Sequence, residues 1–469
     1  DYILSVGEDQ QTRLWAAERG KPLLTFSGAD PHTSRINAVA YAPDGSAFVT
    51  ASADRTAKVW DAASGALRFT YTWGLGGISV MLAVLLGITG LLLMFRYDAN
   101  IERAYTSILF IETQGAFGSL VRGVHHWSAN LLVVSAFLHL VRVFLTGGFK
   151  RGRTMNWLIG IALLLLVLAS NFTGYLLPWD QLAYWAITVS TSLIEYIPRV
   201  GTLLADFVLA GPAVGQGTLR NFYAVHVAVL PIVTGAILGY HFWKIRKNGG
   251  ISQPDHKAEK LVVRVSTIPN LVRIEFAAAT VVIVGVLLWS MFTPAPLNAL
   301  ADPLNSPNPA KAAWYFLGLQ ELLLHMDALA AMLLVGIVLL GLIFIPRWDN
   351  YEADIGVYFR SRKGRWAAVI GAFLAIDLVP ALVVADEYWM DLPAMLPADW
   401  PVLVVNGLVP LLATLGGLAL IYTLLRIVLR ANRSEAILGL FVFVMLSLVV
   451  LTVIGVYFRG PNMALVFPF

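Results

Sequence analysis

The stretch VRGVHHWSANLLVVSAFLHLVR, Val121 to Arg142, constrains this chain more than any other. It is an apolar helix with His125 and His139 fourteen residues apart and an arginine, Arg122 or Arg142, outside each. At about 100° per residue, fourteen steps bring the second histidine to within about 40° of the first, roughly 21 Å further along the axis. Both imidazoles therefore face the same way at two depths. A second stretch, FYAVHVAVLPIVTGAILGYHFWKIRK, carries His226 and His241 fifteen residues apart, about 60° out of register and separated by roughly 22 Å. A lone histidine in an apolar helix is usually a buried hydrogen-bonding residue, but here four of the eight histidines fall into two pairs of nearly equal spacing. Histidines at matched depths on neighbouring helices suit the axial ligation of two stacked haems, His125 with His226 and His139 with His241. His126 lies about 140° from His139 on the helical wheel and is expected to hydrogen-bond at the rim instead.

Of 469 residues, 58% are hydrophobic and only 13% charged, which fits a polytopic membrane protein and no soluble domain. There is no cysteine. Thiolate metal sites, iron–sulfur clusters held by this chain, disulfides and thioether-linked haem are thereby excluded, so any haem is non-covalent. The net charge of +4 comes from basic loops and implies no nucleic-acid partner. The sequence opens at Asp1 in mid-pattern, without an initiator methionine, and further residues upstream are expected.

Residues 1–71 read differently. GEDQQTRLW (Gly7 to Trp15) is echoed by SADRTAKVW (Ser52 to Trp60), and the offset of 45 also carries Asp9 to Asp54, Gly20 to Gly65, Thr25 to Thr70 and Phe26 to Tyr71. A period of about 40 to 45 with short alternating strands and a Trp60-Asp61 pair marks propeller blades. The segment resembles the WD-repeat family over about one and a half blades, a β-propeller fragment too short to close a ring.

From Trp73 onward, nine apolar spans are each long enough to cross a bilayer: about 73–95, 120–145, 156–178, 220–245, 273–293, 327–346, 366–384, 401–427 and 435–457. The basic residues cluster in four loops, around Lys150, Arg151 and Arg153; Lys244 to Arg264; Arg347 to Arg365; and Arg426 to Arg433. Each loop follows an even-numbered span, so these loops and the N-terminal segment are expected on the cytoplasmic side. Spans two and four then run the same way, which levels His125 with His226 and His139 with His241. Gly76 and Gly90 on the first span, and Gly160 and Gly174 on the third, repeat the fourteen-residue interval. Glycine lets a flat macrocycle approach a helix backbone closely. Arg122, Arg142 and Arg246 stand near the helix ends, where they would neutralise haem propionates.

RGVHHWSANLLVVSAFLHLVRVFLTGGFK, GYLLPWDQLAYW (Gly174 to Trp185) and FYAVHVAVLP with HFWKIRK resemble cytochrome b of the quinol:cytochrome c and quinol:plastocyanin oxidoreductases, over about residues 73–346. The fifteen-residue interval is similar to the photosynthetic, bf-type branch. That branch carries a cysteine for an extra haem where Gly74 stands here, so two b-type haems are expected, not three. The resemblance implies quinol oxidation at the outer face. One electron leaves through a Rieske-type iron–sulfur protein to a c-type cytochrome, and the other crosses the membrane through the two haems. It places the outer quinol site between Pro178, Trp179, Asp180 and Tyr184 and a Pro-Glu-Trp-Tyr motif, which here reads Ala312, Ala313, Trp314, Tyr315. The motif glutamate is absent. Glu321 and His325, one helical turn apart and about two turns beyond Tyr315, are the nearest titratable side chains able to take a quinol proton. Asp377, midway along the seventh span, is an intramembrane acid without an assigned role.

The expected architecture is an all-α polytopic membrane protein, a di-haem four-helix bundle plus about five further spans, behind the propeller fragment. Its segments are 1–71 (WD repeat), 72–265 (di-haem domain), 266–346 (outer-site domain) and 347–469 (additional helices). The expected setting is a bacterial cytoplasmic membrane, as a homodimer, with an unidentified cytoplasmic partner for the propeller segment. A di-haem anchor that joins the quinone pool to another redox enzyme is the alternative.

Overall fold

The computed structural model describes residues 2–16, 22–26, 32–42, 47–61, 74–150, 152–250, 272–349 and 361–467. Gly20, Gly65, Thr70 and Tyr71 of the 45-residue echo, and the loop residues Arg151, Lys257, Lys260, Arg264 and Arg360, lie outside them. The chain divides into two compact units, Asp1–Gly74 with Asp255–Thr280, and Leu75–Pro254 with Val281–Phe469.

In the first unit, β1 (Tyr2–Val6), β2 (Thr12–Ala16) and β3 (Pro22–Phe26) form one antiparallel sheet, and β4 (Ile36–Tyr41), β5 (Ala47–Ser52) and β6 (Ala57–Asp61) form another. The sequence echo is an echo of structure. The turns Gly7–Gln10 and Ser52–Arg55 each close with a backbone hydrogen bond and put Gln10 (φ 62°) and Arg55 (φ 68°) in the left-handed region. Trp15 Nε1 donates to Ser5 Oγ at 2.7 Å, and Trp60 Nε1, 45 residues on, donates to Thr50 Oγ1 at 2.6 Å. His32 continues the second chain of bonds, lying 2.8 Å from Thr50 Oγ1 and 2.9 Å from Asp54 Oδ2. Phe48 and Trp60 stack in the core beneath Leu4 and Val39. Among the described residues each sheet has three strands, one fewer than a propeller blade, and no ring is formed.

The helices of nine or more residues, in chain order, are α1 (Leu75–Met94), α2 (Ala104–Thr113), α3 (Gly118–Leu145), α4 (Thr154–Tyr175), α5 (Gln181–Glu195), α6 (Gly201–Leu209), α7 (Gln216–Lys247), α8 (Val272–Phe292), α9 (Trp314–His325), α10 (Ala328–Trp348), α11 (Arg362–Tyr388), α12 (Val404–Ile427) and α13 (Arg433–Tyr457). Among the described residues nine of these, all but α2, α5, α6 and α9, are long and apolar enough to cross a membrane, as expected of a multi-pass membrane protein. The four shorter helices were not anticipated, because span length is the only signal that hydropathy offers. All four fall in connections that follow odd-numbered spans.

Two spans contain a π turn, Val225–Val229 in α7 and Val404–Leu408 in α12, and each precedes a proline, Pro231 or Pro410. Proline has no N–H for the carbonyl four residues back, so the ladder shifts there. The carbonyl released in α12, that of Asn406, accepts the N–H of Asp327 at 2.7 Å. At the opposite end of the bundle Phe144, Phe149, Trp157 and Phe441 close a core between α3, α4 and α13. Beside it the buried Lys150 pairs with Asp349 at 3.2 Å, and Ser434 donates to the same carboxylate. Burial of this pair is supported by additional hydrogen bonding.

Candidate functional site

α3 packs against α1, and α7 against α4, with α3 and α4 in contact between them. His125 and His226 face one another across this bundle with ring centroids 6.3 Å apart. Two imidazoles that share one metal at about 2.0–2.1 Å each, with a ring radius of about 1.1 Å, have centroids roughly 6.3 Å apart. The outer pair therefore fits axial ligation. Among the described residues no group of three or more His, Asp or Glu could chelate a bare ion. A pair of imidazoles suits a metal whose remaining ligands come from a macrocycle.

The second ring nitrogen of each outer histidine is engaged. Thr89 Oγ1 gives its proton to the Leu85 carbonyl at 2.8 Å and accepts from His125 Nδ1 at 2.9 Å. His226 Nδ1 lies 3.0 Å from the Ser170 carbonyl, which can only accept, and 3.2 Å from Thr173 Oγ1. Both Nδ1 atoms thus carry the proton, which leaves each Nε2 lone pair free for a metal. The sequence reading missed Thr89, Thr173 and Ser170. A signal was present: each threonine directly precedes a glycine of the fourteen-residue pairs, Gly90 or Gly174.

The glycines make room for the imidazoles themselves. A Cβ on Gly174 would fall 2.6 Å from His226 Cε1, one on Gly90 3.2 Å from His125 Cε1, and one on Gly76 3.2 Å from His139 Cε1. At Gly160 the corresponding gap to His241 is 4.0 Å. The inner histidines thus face the same two helices one level further in. Their Nδ1 atoms are buried, and neither has a hydrogen-bond partner among the described residues. The fifteen-residue interval does not swing His226 about 60° from His241, since the π turn at Val225–Val229 spreads the rotation over an extra residue.

The arginines divide. Arg122 is buried and committed elsewhere: it pairs with Glu112 of α2 and donates to the carbonyls of Ala295 and Pro296 at 2.9 and 2.7 Å. Arg142 and Arg246 stand near the ends of α3 and α7, and neither side chain makes a hydrogen bond among the described residues. His126 packs edge-on against Trp127.

Of the residues expected at an outer quinol site, Ala312 lines a cavity and the others stand around it without lining it. A cavity of about 290 Å³ opens between α4, α5 and α9, walled by Phe172, Trp185, Val189, Phe316 and Leu319, with Ser190, Lys311 and Gln320 as polar groups. Pro178 leads into Trp179, which together with Tyr184 is buried behind this wall. Asp180 caps α5, accepting from Ala183 N–H at 2.9 Å, and holds the 298–302 loop by accepting from Asn298 N–H at 3.0 Å. Trp314 Nε1 donates to Asn130 Oδ1 at 2.5 Å, and Tyr315 packs against Trp314 and Phe316. In place of the motif glutamate, the backbone of 310–312 is clamped by Gln320, which accepts from Ala312 N–H and donates to the Ala310 carbonyl, both at 2.7 Å.

Glu321 and His325 are not a surface pair. One residue beyond Gln320, and so about 100° round the helix, Glu321 turns toward Arg459, whose Nε lies 2.9 Å from Oε1 and whose Nη2 lies 2.5 Å from it. Arg459 also pairs with Glu387 at 2.9 Å, while His325 bridges Glu321 (3.4 Å) and Asp386 (2.6 Å). Burial raises the Glu321 carboxyl, but hydrogen bonds from His325 and Arg459 outweigh it and hold the group below the usual carboxylate range. For His325, burial lowers the imidazole, yet Glu321 and Asp386 together carry it above its ordinary value. The cluster ties α9 to the ends of α11 and α13.

Residues 62–249 match the sequence model of the family described as cytochrome b/b6/petB, and residues 20–61 match that of the WD domain, G-beta repeat. Over the first of these stretches the chain has the cytochrome b fold. Among solved structures it is similar to a chain of a hyperthermophilic respiratory Complex III, with 21% identity and a TM-score of 0.60, over 83% of this chain and 92% of that one. The cytochrome b match covers α1, α3, α4 and α7, the helices that carry the histidines and glycines.

Proposed function

We propose that this chain is the cytochrome b subunit of a bc-type quinol:cytochrome c oxidoreductase, holding two non-covalent b-type haems. The observation that carries the reading is the outer pair, His125 and His226, set 6.3 Å apart with both Nδ1 atoms bonded. His139 and His241 hold the inner group, and Arg142 and Arg246 neutralise its carboxylates. When bound, the haems supply one-electron carriers at two depths. Quinol is oxidised in the cavity between α4, α5 and α9, where Gln320 and Lys311 meet its head group. Trp179, Asp180 and Tyr184 support the cavity wall from behind. Glu321 anchors α9 through Arg459 and is not the first acceptor of the quinol proton.

In this reading residues 1–71, 72–265, 266–346 and 347–469 are the WD-repeat, di-haem, outer-site and accessory segments of a homodimer in a bacterial cytoplasmic membrane. A Rieske-type iron–sulfur protein and a c-type cytochrome are its redox partners, electron transfer is coupled to proton translocation, and the WD-repeat segment meets a partner in the cytoplasm. The absent motif glutamate favours a second reading, a di-haem anchor whose outer site is inactive. Purification of the native complex decides between them. A stoichiometric Rieske protein and quinol:cytochrome c turnover that Gln320→Leu lowers more than Glu321→Gln support the first. Haem without either activity or Rieske protein supports the second.

A further inference from the structure

Asp377 stands fifteen residues into α11, roughly 22 Å along a helix of about 40 Å, which is mid-depth in a span. α11 is seated on α13 along a stripe of small residues, Gly364, Ala367, Gly371 and Ala375, all buried. At Gly371 a Cβ would collide with the Gly439 carbonyl of α13. Asp377 is two residues past Ala375, hence about 200° round the helix and on the opposite face. That face is bare: Phe373 is 65% and Ile376 56% exposed, and Asp377 itself is exposed. No hydrogen bond or ion pair reaches its carboxyl among the described residues.

A second acceptor lies beside it. Pro380 sits inside the helix and has no N–H for the carbonyl of Ile376, four residues back. At Pro410 the equivalent carbonyl, that of Asn406, is satisfied by the N–H of Asp327. No other element supplies a donor to Ile376 among the described residues. In hydrocarbon an unmet carbonyl and a carboxylate are both costly, and intramembrane acids are found paired or facing a protein interior.

We infer that this face of α11 is the docking surface for one transmembrane helix of a partner subunit, which brings a lysine or arginine to Asp377 at mid-bilayer depth. Charge complementarity selects this occupant. A basic side chain offers several N–H donors and the opposite charge, enough to serve both the carboxylate and the Ile376 carbonyl. A second copy of this chain would set one Asp377 against another across a two-fold axis, like charge against like. The inference is independent of the haem and quinol reading.

Because the chain has no cysteine, Phe373→Cys introduces its sole thiol, one turn from an intact Asp377. Native membranes that contain the full-length variant are treated with a benzophenone maleimide and irradiated. The expected product is one adduct with a single polypeptide whose spanning segment carries Lys or Arg near its centre. In a separate variant, Asp377→Leu should leave this chain in the membrane at its usual amount and reduce that polypeptide at least tenfold in the purified complex. An adduct with lipid alone, an adduct with a second copy of this chain, or an Asp377→Leu complex of unchanged subunit content would overturn the proposal.

Discussion

The outer and inner histidine pairs lie on the same two helices, α3 and α7, at almost the same spacing and each opposite a glycine of α1 or α4, yet they differ in how the imidazoles are held. At the outer level Thr89, Thr173 and the Ser170 carbonyl fix the proton on Nδ1. At the inner level the Nδ1 atoms of His139 and His241 meet no partner among the described residues. Orientation by a second bonded group sets the tautomer and raises the basicity of a ligand. In the proposed reading the outer ligands are thus held in one orientation and would favour the oxidised form of a bound haem. The inner site relies on helix packing. On α4 the glycines repeat the contrast, since a methyl group at Gly174 would strike His226, whereas one at Gly160 would rest at van der Waals distance from His241; on α1 Gly90 and Gly76 leave the same gap to their histidines.

The largest expected effect is the loss of one centre alone. His139→Ala should remove the inner haem and halve haem per chain, with the outer optical and EPR signals intact, whereas His226→Ala should do the reverse. Loss of both haems from either variant would mean that the two levels are not independent. Next in size is the glycine contrast. Overpacking of about 1–3 kcal/mol is expected for Gly174→Ala, seen as depleted outer haem, while Gly160→Ala should keep its inner haem. Equal behaviour of the two variants would remove the steric part of the comparison.

A smaller effect separates the threonines. Thr89→Val strips His125 Nδ1 of its hydroxyl partner, and the outer site should bind haem about 10- to 100-fold more weakly, as is typical for loss of such a group. Thr173→Val should do less, because His226 keeps the Ser170 carbonyl. In a redox titration Thr89→Val should raise the outer midpoint potential and leave the inner one unmoved. A shift in the inner potential instead would show that the two levels have been assigned in the wrong order.

Much of this was legible in the sequence, because a fixed helical period turns spacing into direction. The nine spans follow from apolar length, and the facing of His125, His139, His226 and His241 follows from intervals of fourteen and fifteen. The π turn that accommodates the longer interval was not legible, although Pro231 marks the place where the ladder must shift. Partners far apart in the chain were beyond reach. Nothing local to Glu321 announces Arg459, 138 residues away, so a carboxylate read as a free proton acceptor is an ion-paired anchor. The Trp179-Asp180 stretch lies beside the cavity, where its cap and loop bonds turn it toward support of the wall, and neighbours such as Trp185 and Gln320 face the space.

The central claim is that two histidine pairs hold two non-covalent haems in one chain. A pyridine haemochrome assay on the purified wild-type protein, with protein measured by amino-acid analysis, tests it most directly. The account predicts two b-type haems per chain, all extracted by acidified acetone. One haem per chain, or haem that stays with the denatured polypeptide, would contradict it.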